Sequence, residues 1–350
     1  MEIRCQSPSN IALIKYWGKR EEQLPMNASL SMTLSKSHTD SVLTYSLKEQ
    51  ATAGLSFEFY FEGRRNLAFE CKVRTWLEKI QSYFPFLVDY DLKINSVNSF
   101  PHSSGIASSA SSFSSMAMCL CALEVELTSG ISGFNSTKQK ASFIARLGSG
   151  SASRSAYGNF VVWGRNEVVT GASDEYAIPL DVMVHENFKE LCDSILVVSS
   201  EAKGVSSTDG HRLMLTNPYA DLRYKVAELN FSRLVDAMKT GNTADFMNIV
   251  ENEALNLHAM FLASSPGYFL ATAGTIEVIK KIRTFREQTG LFLCFTLDAG
   301  PNVHLLYSKS IKSEVTEFIQ KELVAFCEKG LWIDDEMGKG PVAVVNGSQQ

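Results

Sequence analysis

The pattern of apolar and polar positions in the first half of the chain predicts a sheet with helices inserted. Runs rich in β-branched and aromatic residues, bounded by turn residues, are typical of strands. Apolar residues at helical spacing from residue 67 onward predict the first substantial helix. The predicted strands cover 10–18, 41–47, 55–63, 90–100 and 158–164, and the predicted helices cover 67–84 and 137–146.

The second half, from about residue 186, has a different order of elements. Strand, helices, two hairpin strands, helix and strand follow one another, which is close to the split βαβ, ferredoxin-like order. No repeat and no Pro- or Gly-rich linker separates the halves, so we expect an α+β protein with domains at 1–185 and 186–350 and a site in the cleft between them. The predicted strands here cover 194–200, 291–297, 303–307 and 341–345, and the predicted helices cover 219–239, 242–262, 274–290 and 311–327.

The segment "PHSSGIASSASSFSS", residues 101–115, holds eight serines in fifteen positions. That composition suits a flexible connector, but the apolar residues recur at steps of 4, 3, 4 and 3, the period of one face of an amphipathic helix. A flexible linker has no reason to carry that period, so a helix is predicted to begin here. The apolar positions are Ile106, Ala110, Phe113, Ala117 and Leu120.

The approach to this helix is a candidate phosphate site. Gly105 permits positive φ and close approach of the backbone to a ligand, and the first amides of a helix are unpaired donors at the positive end of a dipole. Most of the serines are expected to pack the helix against a sheet, with one as N-cap. Ser108 or Ser109, in the first turn, is expected to serve phosphate or Mg²⁺. No G-x-x-x-x-G-K-S/T pattern occurs, so this would be a different phosphate loop.

Composition and charge narrow the range of partners. The 350 residues carry a net charge of −5 with acids and bases interspersed, which argues against nucleic acid as the main partner. No run approaches the roughly 18 uninterrupted apolar residues of a membrane span, and the N-terminus lacks the apolar core of a signal peptide. Seven scattered cysteines without C-x-x-C pairs indicate reduced thiols and a cytoplasmic chain. The dispersed histidines argue against a His-built metal site.

The segment "RLGSGSASRSAYGNFVVW" contains a second candidate anion site. It is not a G-x-G-x-x-G dinucleotide fingerprint, because residue 153 is serine. Glycine-spaced amides at Gly148 and Gly150, with hydroxyls beside them, can form an anion nest, and Arg154 offers a planar fork for carboxylate or phosphate. A helix start followed by a surface arginine explains the same residues equally well.

Two further residues carry candidate chemistry but also have ordinary explanations. Asp298, in "FTLDAGPN", follows an apolar strand at a turn, where catalytic acids occur but where an aspartate bonding its own backbone is commoner. Lys15, in "IALIKYWGKR", lies in an apolar run beside two aromatic residues. It either snorkels at a strand edge or is held near a carboxylate. Each signal is weak when taken alone.

Together, these motifs resemble those of the mevalonate diphosphate decarboxylases, a family of the GHMP kinase superfamily. "SPSNIALIKYWGKR", "FPHSSGIASSAS", "RLGSGSASRSAYGNFVVW", "VSSTDGH" and "FTLDAGPN" occur in the family's order and at its distances, from about residue 5 to about residue 337. "IKYWGKR" and "GSGSAxRS" are quite specific to this family, and "GIASSA" is a phosphate motif shared with the kinases.

The resemblance implies an ATP- and Mg²⁺-dependent reaction that turns diphosphomevalonate into isopentenyl diphosphate, with release of ADP, phosphate and CO₂. It also implies the GHMP kinase fold, with an S5-like N-terminal domain and a ferredoxin-like C-terminal domain, which agrees with the order of elements above. Family members are typically cytoplasmic homodimers. Phosphorylated mevalonate, ATP and a second copy of the chain are therefore the expected partners.

The resemblance also implies roles for individual residues. Asp298 matches the catalytic aspartate that acts on the C3 hydroxyl, and Lys15 matches the lysine near that carboxylate. Arg154 matches the arginine that holds the substrate carboxylate, Asn10 a supporting position beside Lys15, and Ser108 the serine that serves the nucleotide phosphates and Mg²⁺. The expected substrate-binding residues are Tyr16, Trp17, Gly18, Lys19, Ser149, Gly150, Ser151 and Thr208. The expected nucleotide-binding residues are Ser96, Asn98, Ser103, Ser104, Gly105, Ala107, Ser108 and Ser109.

Departures from the family pattern leave the phosphorylation state of the substrate open. Glu21 stands where an aspartate is usual and the following loop is short, and His211 replaces a common methionine. A kinase of a mevalonate-like alcohol, or a decarboxylase of the monophosphate, is therefore an alternative. A non-catalytic ligand sensor would have lost the acid or the lysine, and both are present. Other departures fall at Asn66, Val97, His102 and Ser153.

Overall fold

The first half of the chain folds as one large sheet covered by helices. The structure is a computed structural model that describes residues 1–50, 54–101, 106–200, 207–345 and 348–349. The strands of the first half are β1 (Glu2–Ile14), β2 (Ser29–Leu47), β3 (Ser56–Phe61), β4 (Arg64–Arg65), β5 (Tyr90–Asn98), β6 (Phe160–Trp163) and β7 (Ile178–Pro179). Its helices are α1 (Leu67–Ile80), α2 (Ser108–Thr128) and α3 (Thr137–Gly148), followed by a 3₁₀ segment over Gly150–Ala156.

The long strands β1 and β2 form the centre of this sheet. They pair antiparallel along most of their length, with irregular register near Pro8 and near Ile14. β5 pairs with one half of β2 and β6 with the other half, so β2 links two sets of neighbours. β3 adds to β5 in parallel, and α1, α2 and α3 pack against this part of the sheet around a common apolar core.

Helix α2 is the central helix of that core. Ala110, Ala117 and Leu120 are buried, as the 4-3-4-3 spacing predicts, and the helix interpretation of the serine segment is confirmed. Serines also face the sheet: Ser111 Oγ lies 2.6 Å from Thr39 Oγ1, and Ser115 bonds to β2 in the same way. Hydroxyl pairs of this kind satisfy buried polar groups while allowing the helix to lie close to the strands.

The second half forms a smaller antiparallel sheet with helices beside it. Its strands are β8 (Leu191–Leu196), β9 (Leu293–Leu297), β10 (Val303–Ser308) and β11 (Trp332–Glu336), in the spatial order β11-β8-β10-β9. Its helices are α4 (Ser207–Leu213), α5 (Ala220–Thr240), α6 (Thr243–Leu262), α7 (Ala273–Thr289) and α8 (Lys312–Phe318). This is the split βαβ order, so the predicted α+β class and ferredoxin-like unit are confirmed.

Two predictions about the end of the chain are wrong. The segment predicted to close the second unit instead forms β12 (Val342–Val345), which pairs with β1 in the first sheet and is followed by β13 (Ser348–Gln349). The strand that closes the second sheet is β11, whose sequence "WIDDE" has too many acids to predict a strand. The helix predicted over 311–327 is also broken, because α8 widens into a π turn over 319–323.

Helix α2 also passes a length-and-composition test for crossing a membrane, and it alone does so in the described part of the chain. Of the apolar window in this helix, 72% is buried inside the protein. That burial is typical of the core helix of a globular domain.

Candidate active site

The two units meet at a cleft that contains a cavity of about 620 Å³. Its walls come from the end of β1, one face of α1, the start of α2, the segment 147–154, helices α4 and α6, and the turn after β9. Both units therefore contribute side chains, as expected for a site in a cleft between domains.

A buried ion pair lies in this cavity. Lys15, at the end of β1, is only 2% exposed, and its Nζ lies 3.3 Å from Oδ1 of Asp298 in the turn after β9. Burial lowers the pKa of Lys15, and the charge of Asp298 opposes that shift. Because an ammonium is costly to remove from water unless it is paired, the carboxylate favours the charged form of this lysine.

Helix α6 holds both members of this pair. Oε2 of the fully buried Glu253 accepts the backbone N–H of Lys15 at 3.0 Å, and the same carboxylate accepts from Arg223 of α5 at 2.7 Å. Five residues further along, Nε2 of His258 lies 3.1 Å from the backbone carbonyl of Asp298. One helix of the second unit thus fixes the lysine and the aspartate relative to each other.

Arg154 is a second buried cation in the same cavity. Its Nε donates to Oδ1 of Asn10 at 3.2 Å, and its Nη1 donates to the hydroxyl of Ser29 at 2.7 Å. Burial lowers its pKa to about 10, so it stays protonated at neutral pH. Within the described ranges its hydrogen bonds go to neutral groups rather than to a carboxylate. Its positive charge is therefore available to an anionic ligand.

Stacked rings form one wall of the cavity. The imidazole of His211, from α4, packs against Tyr16 and Trp17 with ring centroids 4.4 and 4.5 Å apart. Its Nδ1 accepts the backbone N–H of Gly18 at 3.0 Å. Burial, with the positive charges of Lys19 and Arg154, lowers its pKa to about 3. The imidazole is therefore neutral near pH 7, with its proton on Nε2.

Lys19 lies at the more open end of the cavity. This half-buried side chain donates from Nζ to Oε1 of Gln23 at 2.9 Å. Burial lowers the pKa of Lys19, and the positive charges of Arg212 and Lys79 lower it further. The lysine therefore has an amide for its partner, and its charge is not neutralised by that contact.

Positive charge predominates among the described side chains that line this cavity. Within the described lining, the cations are Lys15, Lys19, Lys72, Lys79 and Arg154, and the only carboxylate is that of Asp298, which pairs with Lys15. A lining with this imbalance favours a ligand that carries several negative charges. Phosphate and carboxylate groups are the ligands that such cations bind best.

A smaller cavity of about 280 Å³ adjoins the larger one at Lys72, Ser109 and Phe113. Its other lining is largely aromatic and aliphatic, and Ser108 lies at its edge in the first turn of α2. The N-cap of α2 is Ala107, which has no side chain to bond the first amides. These amides form the type of helix start that binds anions.

The structure brings most of the sequence-predicted residues to these two cavities. Asn98 and Ser108 line the smaller cavity, and Ser109 lines both. The predicted residues around the larger cavity are Asn10, Lys15, Tyr16, Trp17, Lys19, Ala107, Ser109, Ser149, Gly150, Ser151, Arg154, Thr208 and Asp298.

The remaining predicted residues are placed differently. Gly18 reaches the site only through its backbone N–H, which His211 accepts, and its φ of +86° is one that favours glycine. Ser96 is buried within β5 and lines neither cavity. Ser103, Ser104 and Gly105 lie outside the described residues.

Sequence reasoning missed several residues that line or support the site. Lys72 and Lys79 lie seven positions apart on α1, so one face of this predicted helix already carried a pattern of cations. Gln23 and Glu253 gave no usable signal, because their roles depend on partners that only the folded chain brings close. His258 was one more dispersed histidine until α6 placed it against Asp298.

Known proteins resemble this chain in sequence and in fold over most of its length. The model of the diphosphomevalonate decarboxylase-like N-terminal domain matches residues 7–177, and that of the mevalonate 5-diphosphate decarboxylase C-terminal domain matches residues 194–337. A diphosphomevalonate decarboxylase of Ganoderma lucidum is 34% identical over 91% of this chain and 82% of its own length. A human diphosphomevalonate decarboxylase is 30% identical over 91% of this chain and 78% of its own.

Solved structures show the same architecture. The mevalonate diphosphate decarboxylase of Staphylococcus aureus superposes with a TM-score of 0.82 at 28% identity, covering 98% of both chains. MDDEF in complex with MVAPP, AMPPCP and magnesium superposes with a TM-score of 0.81 at 28% identity, covering 98% of this chain and 99% of that one.

The fold and the cation-lined cleft therefore define an enzyme of the GHMP kinase fold. Within that class, the chain belongs to the diphosphomevalonate decarboxylase family, and the family expected from the sequence motifs is confirmed. Enzymes of this family are carboxy-lyases.

Proposed function

We propose that this protein catalyses the ATP-dependent decarboxylation of (R)-5-diphosphomevalonate to isopentenyl diphosphate, with release of ADP, phosphate and CO₂. The observation that carries this proposal is the pair of Lys15 and Asp298, held in the same cation-rich cavity as Arg154. The substrate has a carboxylate at one end and a diphosphate at the other. The cavity offers cations in the buried region of Lys15 and Arg154 and again at its open end near Lys19.

Asp298 is the proposed catalytic residue for the first step. A tertiary alcohol is a poor nucleophile and hydroxide is a poor leaving group, so the C3 hydroxyl is phosphorylated before it departs. The Asp298 carboxylate orients that hydroxyl and accepts its proton. Lys15, whose Nζ lies 3.3 Å from the carboxylate, forms an ion pair with Asp298 and places positive charge beside the entering phosphoryl group.

Arg154 is the proposed anchor of the substrate carboxylate. When phosphate leaves C3 with the electron pair of the C–O bond, positive character develops at C3. The electrons of the bond between the carboxyl carbon and C2 then form the C2–C3 double bond, and CO₂ departs. Hydrogen bonds to Asn10 and Ser29 hold the guanidinium in one place, so the carboxylate can be kept aligned for this elimination.

The residues at the start of α2 fit an ATP site. The largely apolar smaller cavity suits the base and sugar, and the uncapped amides with Ser108 and Ser109 suit the phosphates. No group of three or more acidic, His or Cys side chains in the described ranges is placed to hold a metal. We assign the hydroxyl of Ser108, in the first turn of α2 beside the smaller cavity, as the protein ligand of Mg²⁺, because Mg²⁺ in nucleotide sites takes most of its other ligands from phosphate and water. A Mg²⁺ ion held by this hydroxyl would supply positive charge to the phosphates of ATP.

The remaining assignments concern binding of the diphosphate. Tyr16, Lys19, Thr208 and the Ser149–Ser151 segment line the same cavity as the buried ion pair. Hydroxyls and backbone amides at Gly150 and its neighbours supply neutral donors, and Lys19 supplies charge. We assign this group to the diphosphate of the substrate.

We also propose that the protein is a cytoplasmic homodimer. Helix α5 exposes Leu222 and Leu229, and helix α6, which packs against α5, exposes Leu255 and Leu262. Such a patch can cover itself in a two-fold symmetric contact. All seven cysteines are free, which suits a reducing compartment. Sedimentation velocity on the wild type and on Leu229→Lys is the test: a monomeric wild type at micromolar concentration contradicts the dimer.

The activity is tested by supplying purified protein and Mg-ATP with mevalonate, its 5-phosphate and its 5-diphosphate. ADP and CO₂ are measured together in each reaction. We expect equal amounts of both products with the 5-diphosphate. ADP without CO₂ would identify a kinase instead, and no turnover of any of the three compounds would favour a ligand-binding protein without catalysis.

A further inference from the structure

The open end of the larger cavity carries more positive charge than Lys19 alone supplies. Lys72 and Lys79 both line this cavity from α1. Seven residues of helix span about 10 Å, so the two ammonium groups serve different parts of the cleft. Lys72 also lines the smaller cavity, whereas Lys79 lines only the larger one. Of these two lysines of α1, Lys79 is therefore the one that lies only in the larger cavity, where we place the substrate.

Lys79 stands close enough to Lys19 to act on it electrostatically. Its positive charge, together with that of Arg212, adds to burial in lowering the pKa of Lys19. In the part of the chain that the structure describes, neither Lys19 nor Lys79 has a carboxylate partner. Two cations that repel each other without a counter-ion are stabilised when an anion binds between them.

The turn that carries Gln23 holds Lys19 in this position. Glu22 and Gln23 both adopt left-handed backbone conformations, with φ of 56° and 66°. The fully buried Arg146 anchors the turn through the carbonyl of Glu22. Gln23 then uses its amide oxygen to accept one N–H of Lys19, which leaves the other two for a ligand. Non-glycine residues in this conformation cost energy and are often found at functional sites.

We propose that Lys79 is a specificity-determining residue that contacts the terminal phosphate of the substrate beside Lys19, so that it selects the 5-diphosphate over the 5-monophosphate. This inference rests on the proposed function, because it assumes that the diphosphate occupies the open end of the cavity. The monophosphate lacks the outer phosphate and gains nothing from a second cation there. Gln23 acts as a positioning residue, through Lys19.

The test is the dissociation constant of each compound, measured by calorimetry without ATP. We compare the wild type with Lys79→Met, Lys79→Arg and the control Lys239→Met, which changes an exposed lysine near the end of α5. Loss of a charged hydrogen bond to phosphate weakens binding by about tenfold or more. We therefore expect Lys79→Met to raise the dissociation constant of the 5-diphosphate about tenfold. The dissociation constant of the 5-monophosphate should change less than twofold. Lys79→Arg and Lys239→Met should bind both compounds within about threefold of the wild type.

Each outcome has a separate meaning for the two proposals. The role of Lys79 is overturned if Lys79→Met weakens the binding of both compounds equally, or if it does not weaken the binding of the 5-diphosphate. Either result leaves the proposed function standing. Failure of the wild type to bind the 5-diphosphate at all counts against the proposed function itself. Thermal unfolding of each variant shows whether a weakened protein is still folded, and Lys79→Arg distinguishes loss of charge from loss of packing.

Discussion

The larger cavity has two ends that are both positive but are built differently. At the buried end, Lys15 and Arg154 are almost fully enclosed, and protein groups hold each of them: Asp298 for the lysine, Asn10 and Ser29 for the arginine. At the open end, Lys79 is exposed, and Lys19 is half-buried and donates to the side-chain amide of Gln23.

This difference shows how charge is divided between chemistry and recognition. A buried cation needs fixed partners inside the protein, so its position is set before the substrate arrives. Such groups can stabilise charge that develops during the reaction. The side chain of a solvated cation stays mobile until an anion binds, so it contributes mainly to affinity. Salt screens its interaction with the anion. We therefore expect substitutions at the buried end to lower kcat and substitutions at the open end to raise KM.

The largest expected effect is at Asp298. Asp298→Asn keeps the shape of the side chain but removes the group that accepts the proton, and it leaves Lys15 without its counter-ion. We expect kcat to fall by about 10³-fold, within the range for loss of a catalytic base. Steady-state turnover measures this fall, and nucleotide binding, followed by calorimetry, should survive. Near-full turnover would falsify the assignment of Asp298.

The second effect is at Arg154, at the same buried end. Arg154→Gln removes the cation that holds the substrate carboxylate while keeping a polar side chain near Asn10. We expect kcat/KM for CO₂ release to fall about 10²-fold, as for loss of an oriented donor in a dry site. The matched control is Arg233→Gln, an exposed arginine paired with Asp245 on the surface, which should stay within twofold. Similar losses of kcat/KM in Arg154→Gln and Arg233→Gln would contradict the assignment of Arg154 to the substrate carboxylate.

A smaller and different effect is expected at the open end. Lys19→Met should raise KM for the 5-diphosphate about tenfold, with kcat within about threefold of the wild type, because the lost contact serves binding rather than the reaction. The KM of the wild type should also rise more steeply with ionic strength than that of the variant. If Lys19→Met lowers kcat as strongly as Arg154→Gln does, the two ends do not differ in function.

The smallest expected effect concerns His211, between the two ends. Its pKa of about 3 lies below the ordinary value of about 6.5. Between about pH 3 and about pH 6.5, the unfolded chain therefore binds a proton at His211 that the folded chain does not bind. Folding stability should therefore fall as pH drops below about 6.5, by at most about 1.4 kcal/mol per pH unit from this group.

Urea unfolding at about pH 7 and about pH 5.5 measures this dependence. His211→Met removes the titrating group, so the variant should lose less stability on acidification than the wild type. Burial also lowers the pKa of His258, so part of the dependence should remain in the variant. Identical slopes for the two proteins would show that His211 does not titrate as its burial requires.

Local signals explain which elements could be predicted from the sequence. The 4-3-4-3 spacing of apolar residues predicted α2, because a helical period is a property of neighbouring residues. Helix α6 was predicted over 242–262 and runs over Thr243–Leu262, since Asn242 caps it with its own side chain. Strand β11 was not predicted, because its acidic residues are bonded to a segment far away in the sequence. Asp335 accepts hydrogen bonds from backbone N–H groups of β2 near Lys36.

The sequence by itself determined the family of this protein and most of its candidate site residues, because its motifs carry the residue types that phosphoryl transfer and carboxylate binding require. The family resemblance already implied that Lys15 lies near Asp298, 283 residues further along the chain. Only the tertiary structure decided that this pair is held by α6 with Lys15 buried, and that the last strands return to the first sheet. The tertiary structure also placed Lys79 at the open end of the cavity. The reason is physical: burial, charge pairing and pKa depend on neighbours in space, and spacing along the chain does not encode those neighbours.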